Sequence, residues 1–376
     1  MNKIIITLVT ILLSMVFVNA QTNDKEVKFG GRIMYDMAAW GAEEFNYTGS
    51  EFRRVRLYSS GEMYGTVKYK LQLDFSGGEI SFKDVWIELN KLPIQGSLRI
   101  GHFKEPLRLE ALTSSKYITF MERGLPIAMS PERNTGAMYH TNIGKKLSFQ
   151  SGVFRKSDDF GNDKTANNNI SITSRATFLA INDGNRLLHL GIAHSKRKNN
   201  NKTYSFSSRA ENHLGNKLIS VNKEQVNHVN IFSSEISYVN GPISLQAEAL
   251  QTTINAIPEI ERSFIINHEI VSYYGQVSYF ITGENRSYKS SLAGFGKVNP
   301  KNNYGENGWG AFELAARFSA IDTQKNGSLK DITIGLNWYL NSNTRVMFNY
   351  IKGEMANELG GITLENSIMM RVQLDF

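Results

Sequence analysis

No cysteine occurs in the 376 residues. That excludes a disulfide framework, thiolate metal sites and cysteine nucleophiles, and it leaves no residue for a lipoprotein anchor. Proline is scarce, at 7 against 31 glycines. The seven histidines, His102, His140, His189, His194, His213, His228 and His268, show no HExxH or similar zinc spacing. Gly294-Phe295-Gly296-Lys297 lacks both the leading glycine and the Ser/Thr of a phosphate loop. Beyond the first 20 residues no apolar run reaches the roughly 20 residues that a membrane-crossing helix needs. Helical periodicity is almost absent along the whole chain.

The N-terminus carries Lys3, an apolar run from Ile4 to Val18, and Val18-Asn19-Ala20 ahead of Gln21. A basic start, a short apolar core and a small-residue cleavage site predict a cleaved signal peptide over residues 1–20. Residues 21–376 then form one exported domain. Its formal charge is +7 less the one from Lys3, or +6. Export argues against nucleic acid as the partner of this basic surface and leaves small anions.

The chain is rich in period-two alternation. Ile368, Met370, Val372, Leu374 and Phe376 alternate with Ser367, Arg371, Gln373 and Asp375; Met369 is the exception. Val27, Phe29, Ile33, Tyr35 and Met37 alternate with Lys28, Arg32 and Asp36, and Val67 to Phe75 with Lys68, Lys70, Gln72 and Asp74. Similar stretches lie at 85–89, 312–319 and 332–340. Such spacing makes strands with one greasy and one wet face. Weaker strands are expected at 51–61, 97–103, 134–142, 147–155, 170–181, 187–197, 227–239, 242–254, 268–282 and 344–353. The total is 16, or roughly 22 residues per strand and connection, which suits tilted membrane-spanning strands. The predicted fold is an all-β transmembrane antiparallel barrel, with outer-membrane lipid on its greasy face. Short turns at 240–242 and 341–343 suit the periplasmic side. Long polar segments at 156–169, 198–226, 255–267 and 284–308 suit the extracellular side.

Segment 103–133 breaks the alternation. It holds three of the prolines, many charges and short apolar clusters (Leu107, Leu109, Leu112; Tyr117, Ile118, Phe120). Long loops without strands are usually functional or disordered. The apolar clusters point to a packed loop folded into the barrel mouth. Arg32, Arg54, Arg56, Lys68 and Lys70 fall on wet faces and are candidates for a basic ladder along the lumen.

Several runs resemble the phosphate-selective porin O and P family. They include Phe52-Arg53-Arg54-Val55-Arg56-Leu57, Tyr69-Lys70-Leu71-Gln72-Leu73-Asp74-Phe75 and Arg99-Ile100-Gly101-His102-Phe103-Lys104-Glu105-Pro106. Leu112-Thr113-Ser114-Ser115-Lys116, Phe120-Met121-Glu122-Arg123, the stretch Trp309 to Ser319 and the terminal Val372-Gln373-Leu374-Asp375-Phe376 fit as well. Residues 155–305 match only in strand pattern. The resemblance implies a 16-stranded barrel, usually a homotrimer, whose third extracellular loop folds inward as the constriction. It implies a pore lined by arginines with lysines at the narrowest point. Lys116 matches such a constriction lysine, and Arg108, Arg123 and Arg133 in the same segment are further candidates for anion binding. Phe376 resembles the terminal signal read by the barrel assembly machinery.

The expected function is passive diffusion of small anions, phosphate or polyphosphate among them, without cofactor or metal. The alternatives are an unselective porin with the same fold and, more remotely, a barrel-borne hydrolase. The hydrolase needs a Ser-His pair with an orienting partner, which alternation alone does not supply.

Overall fold

The computed structural model describes residues 25–163, 169–198, 200, 202–257, 267–290, 293–306 and 308–376. The expected signal peptide at 1–20 lies outside them. Sixteen antiparallel strands close into one barrel. In chain order they are β1 (Lys25–Gly41), β2 (Tyr47–Met63), β3 (Val67–Asp74), β4 (Ser81–Leu89), β5 (Ser97–Lys104), β6 (Arg133–Ile143), β7 (Leu147–Arg155), β8 (Ile170–Asp183), β9 (Arg186–Lys198), β12 (Val226–Asn240), β13 (Ile243–Ala256), β14 (His268–Phe280), β17 (Ala311–Asp322), β18 (Ser328–Tyr339), β19 (Thr344–Ala356) and β20 (Ile362–Asp375). Two small hairpins sit in the connections: β10 (Thr203–Ser208) with β11 (Ile219–Glu224), and β15 (Tyr288–Lys289) with β16 (Gly294–Phe295). Both were read as loop from the sequence.

The alternation is inverted relative to a soluble sheet. On β14 the polar Ser272, Gln276 and Ser278 are buried, whereas Val271, Tyr273, Val277 and Tyr279 are exposed. On β20 Ser367, Arg371 and Gln373 are buried and Ile368, Val372 and Leu374 exposed. An apolar exterior around a polar interior is the pattern that hydrocarbon demands. A Lys or Arg placed on that outer face at mid-bilayer would cost about 2–4 kcal/mol. At one end Trp338 stacks on Phe312 with centroids 5.8 Å apart, beside Trp309 and Tyr304, as an aromatic belt does at a membrane interface.

Closure joins the first strand to the last. Arg32 pairs in register with Asp375, and Asp36 with Arg371. Beyond the last pair, the Gly31 N–H donates to the Phe376 carbonyl at 2.9 Å. A Cβ at Gly31 would lie 2.5 Å from the Phe376 ring, so glycine is what lets the terminal aromatic lie on β1.

The two ends of the barrel differ. Connections 64–66, 144–146, 184–185, 241–242 and 340–343 are short and share the end that holds the C-terminus, which is the periplasmic pattern. The opposite end carries 105–132, 156–169 and 199–225. Segment 284–308, expected among the extracellular loops, instead belongs to the connection 281–310 at the short-turn end. The reason is strand parity: β14 runs toward that end. The inward segment is 105–132 rather than 103–133, because Phe103, Lys104 and Arg133 are strand residues.

Three connections turn into the lumen. Segment 105–132 lies on the inner faces of the late strands: Arg317 on β17 donates to the Glu122 carbonyl, Asn337 on β18 to the Thr119 carbonyl, Arg345 on β19 to the Ile118 carbonyl and Arg371 on β20 to the Met121 carbonyl. Segment 199–225 places Glu211 against Arg317, Ser319 and Thr333. Segment 281–310 enters from the other end and brings the Ala293 carbonyl to Arg175 on β8. Leu107, Leu125 and Met129 of the first segment pack with Phe206, Ile219 and Val221 of the second, over Val229, Ile231, Leu250 and Ile270 of the wall. Leu109 packs with Phe295 of the third, over Leu179 and Leu187.

Candidate functional site: a cation-lined passage

The inward segments fill the lumen along the late strands and leave open space along β1 to β6. An inner chamber of about 440 Å³ lies between these strands, residues 112–133 and the hairpin around 289–295. A vestibule of about 1000 Å³ continues toward the short-turn end, where Asn90, Lys91, Gln95 and Asn142 line it. Arg32, Lys70 and Lys289 border both spaces.

The inner chamber carries ten cationic side chains: Arg32, Arg53, Arg54, Arg56, Lys70, Lys83, Lys104, Arg123, Arg133 and Lys289. Among the described residues the carboxylates that line it are Asp74, Asp84 and Glu132. Two of these acids are shared. Asp84 lies 2.7 Å from Lys70 and 2.9 Å from Arg133, and Asp74 lies 2.7 Å from Arg56 and 3.8 Å from Lys83. Glu122, at the loop's edge, takes Arg53 at 2.8 Å and Arg54 at 3.9 Å. Among the described residues Arg32, Lys104, Arg123 and Lys289 have no carboxylate within 4 Å. Arg32 rests instead on the Ser115 hydroxyl at 2.7 Å. Burial would raise the Glu132 carboxyl, but Arg123, Arg133 and Lys104 outweigh burial and hold it at about 2. The same competition, with Arg53, Arg54 and Arg371 as the cations, holds Glu122 well below the usual carboxylate range. Low-dielectric walls around such a cluster focus its field on whatever passes.

The residues singled out from the sequence separate into three groups. Arg32, Arg54, Arg56, Lys70, Arg123 and Arg133 come together at the inner chamber. Lys68 and Lys116 line only the vestibule. Lys68 lies 3.7 Å from Glu62, and Lys116 is bound to Asp375 at 2.7 Å, so the lysine motif places a neutralised pair beside the passage. Arg108 requires correction as an anion-binding residue. It is fully buried against the wall, with its Nε 2.7 Å from Glu248 Oε2, and borders neither space. It anchors the loop, and removing one partner of such a buried pair typically costs about 3–5 kcal/mol.

Arg53, Lys83, Lys104 and Lys289 were missed. Two β-bulges explain the first pair. The β1–β2 register runs from Met34↔Arg54 to Tyr35↔Phe52, leaving Arg53 unpaired, and both arginines reach the lumen. The β3–β4 register runs from Leu71↔Val85 to Leu73↔Phe82, so Lys83 joins Asp84 inside. A bulge defeats strict alternation. A Ser-His contact was also missed: Ser157 Oγ lies 3.0 Å from His102 Nδ1.

The phosphate-selective porin O and P family model matches residues 27–376. Porin O of Pseudomonas aeruginosa is 25% identical over 383 aligned positions, covering 89% of this chain and 84% of that one. Among solved structures, an anion-selective porin from Comamonas acidovorans superposes with a TM-score of 0.59 at 13% identity, over 94% of this chain and all of the other. The trimer form of OmpT, an outer membrane protein of Vibrio cholerae, gives 0.58 at 9% identity over 94% and 100%. These last two establish the fold. With the barrel, its apolar belt and its charged passage, the match over residues 27–376 makes this chain a bacterial outer-membrane porin, and it belongs to the phosphate-selective porin O and P family.

Proposed function

We propose that the passage conducts small anions by passive diffusion and takes phosphate among them. The observation that carries this reading is the inner chamber, where ten cations face three lining carboxylates and a fourth, Glu122, behind Arg53 and Arg54. An anion crossing it exchanges water for guanidinium forks and ammonium groups, and Arg suits phosphate oxygens in particular. Arg32, with Ser114 and Ser115 beside it, leads from the chamber to the vestibule. Several sites of similar strength let an ion leave as readily as it enters. Arg123 and Arg133 support this work by facing the chamber, whereas Lys116, paired with Asp375, borders the vestibule without adding net charge.

An unselective porin would balance its lining charges, and this chamber does not. As to a hydrolase, the Ser157–His102 contact uses Nδ1, and Thr135 Oγ1 lies 3.4 Å from the same nitrogen. No carboxylate hydrogen-bonds that imidazole among the described residues, so it lacks the third member of a triad. The protein acts as a channel. Residues 1–20 direct export and are removed. The barrel sits in outer-membrane lipid as a homotrimer, an assembly supported by the trimer form of OmpT, and Phe376 is presented to the barrel assembly machinery.

Planar bilayer recordings of the purified porin test the reading. The reversal potential across a potassium chloride gradient is expected to report anion preference, and added phosphate is expected to reduce the chloride current. Cation preference in the unmodified protein would refute it.

A further inference from the structure

Strand β9 turns charge to both sides of the wall. Ser195 and Arg197 face the lumen, where Arg197 reaches Glu105 of the inward segment at 2.8 Å. His194, Lys196 and Lys198 alternate with them and are exposed on the outside. Both lysines lie toward the loop end, opposite the end that holds the C-terminus, and so face the outer leaflet. They stand at the edge of the apolar belt. Ile172, the partner of Lys196 in register on β8, is 53% exposed, and Ile170, one outward position nearer the loops, is exposed too. Below them on the same face Ile192 is exposed, as is Phe232 beside His194. Among the described residues neither lysine has a carboxylate within 4 Å. Arg155 on β7, two strands away, is taken by Asp163 at 2.6 Å. Along the row of Lys196 the next outward side chains are Asn230, Thr253 and Glu269. That acid is three strands off, about 14 Å at the usual strand spacing, and salt screens charge beyond about 8 Å. By contrast, the outward Lys330 on β18 faces Glu354 of β19 in register.

An ammonium group without a counter-charge is unfavourable beside hydrocarbon, and an anionic headgroup supplies that charge. Positions i and i+2 of a strand are about 6.6 Å apart, a span that two lysine stems can close around one phosphate group. Asn230, in register with Lys196, adds an amide donor at the same height. We propose that this outward face binds the phosphate headgroup of an outer-leaflet lipid at Lys196 and Lys198, with the acyl chains along Ile172, Ile192 and Phe232. A free phosphate ion has no use for the apolar flanks, and a zwitterionic lipid gains little from two unpaired cations. The inference rests on the orientation of the barrel and is independent of what the passage conducts.

Native mass spectrometry of the full chain in nonionic detergent micelles tests it, with phosphatidic acid and phosphatidylcholine of the same acyl chains as probes. Phosphatidic acid is expected to bind at least about fivefold more tightly than phosphatidylcholine. The double variant Lys196→Gln with Lys198→Gln should weaken phosphatidic acid by about tenfold and leave phosphatidylcholine unchanged. A matched loss of charge at the other end, Lys145→Gln with Lys146→Gln in the exposed turn before β7, should keep full affinity for phosphatidic acid. The first variant should also keep the chloride reversal potential of the unmodified porin, which shows that the barrel is intact and that both lysines lie outside the passage. Equal binding of the two lipids by the unmodified chain would overturn the proposal and leave the lysines as heads turned up to water. So would full affinity in the first variant, an equal loss in both variants, or a shifted reversal potential in the first. Displacement of phosphatidic acid by an equal concentration of inorganic phosphate would reveal a site for the free ion and overturn it as well. Cation preference in the unmodified porin would instead overturn the channel reading alone.

Discussion

Arg32→Gln removes one charge from the point where the inner chamber meets the vestibule. Arg32 has no carboxylate within 4 Å among the described residues, and its neighbour in register, Asp375, is already bound to Lys116. Its charge therefore acts on the passage with little local cancellation. A space of 440 Å³, taken as a sphere, has a radius of about 4.7 Å, which puts an ion at its centre about 6 Å from a lining guanidinium. At that distance one unit charge contributes roughly 0.7 kcal/mol at the dielectric of water and roughly 2.8 kcal/mol at an effective value of 20. Anion occupancy should then fall by about threefold to about a hundredfold. Reversal potentials across a chloride gradient in planar bilayers measure it. The control is the double variant Lys116→Gln with Asp375→Asn, which removes a bonded pair and leaves the net charge as it was. Its reversal potential is expected to stay near that of the unmodified channel. If Arg32→Gln leaves selectivity intact, or the neutral double variant shifts it as much, then the lining cations are scaffold and do not set the field.

Two further outcomes are expected. Phe376→Asp puts a charge where the terminal ring lies on Gly31, and it should reduce the folded, heat-modifiable porin recovered from outer membranes; undiminished levels would show that the terminal aromatic is dispensable. Glu132 is held at about 2, below its usual 4.5, so its contacts with Arg123, Arg133 and Lys104 are fully present above pH 4.5 and are lost as pH falls through about 2. Anion preference should accordingly be the same at pH 7 and pH 5, and Glu132→Gln should raise it equally at both; a rise in the unmodified channel on going to pH 5 that Glu132→Gln abolishes would contradict the assignment.

The strand pattern was legible because hydrocarbon outside and water inside impose a period of two on every crossing, and all 16 barrel strands were located from it. The even-numbered cations of β2 and β3 followed from the same rule. Arg53 and Lys83 did not, because a bulge adds one residue and turns the next side chain to the same face. Lys289 was hidden for a different reason. Nothing in its local composition shows that the connection after β14 turns back into the lumen, and strand parity decides which end it leaves from. Arg108 and Lys116 show the converse limit. Charge in an inward segment can be read from sequence, but whether a carboxylate such as Glu248 or Asp375 awaits it depends on strands more than a hundred residues away.

Arg371 holds the seam and the inward segment at once. It reaches Asp36 across the β1–β20 junction through bonds of 2.6 Å, and it also holds Glu122 and the Met121 carbonyl of the inward segment, about 250 residues earlier. Contacts of such sequence separation form late, because the loop entropy of the intervening chain must be overcome first. The seam and the inward segment are thus held through one side chain of the last strand. An incompletely zipped barrel would be a wide, ill-defined hole in the membrane. Because one guanidinium serves both, disturbing the seam at Arg371 also disturbs the segment inside the barrel.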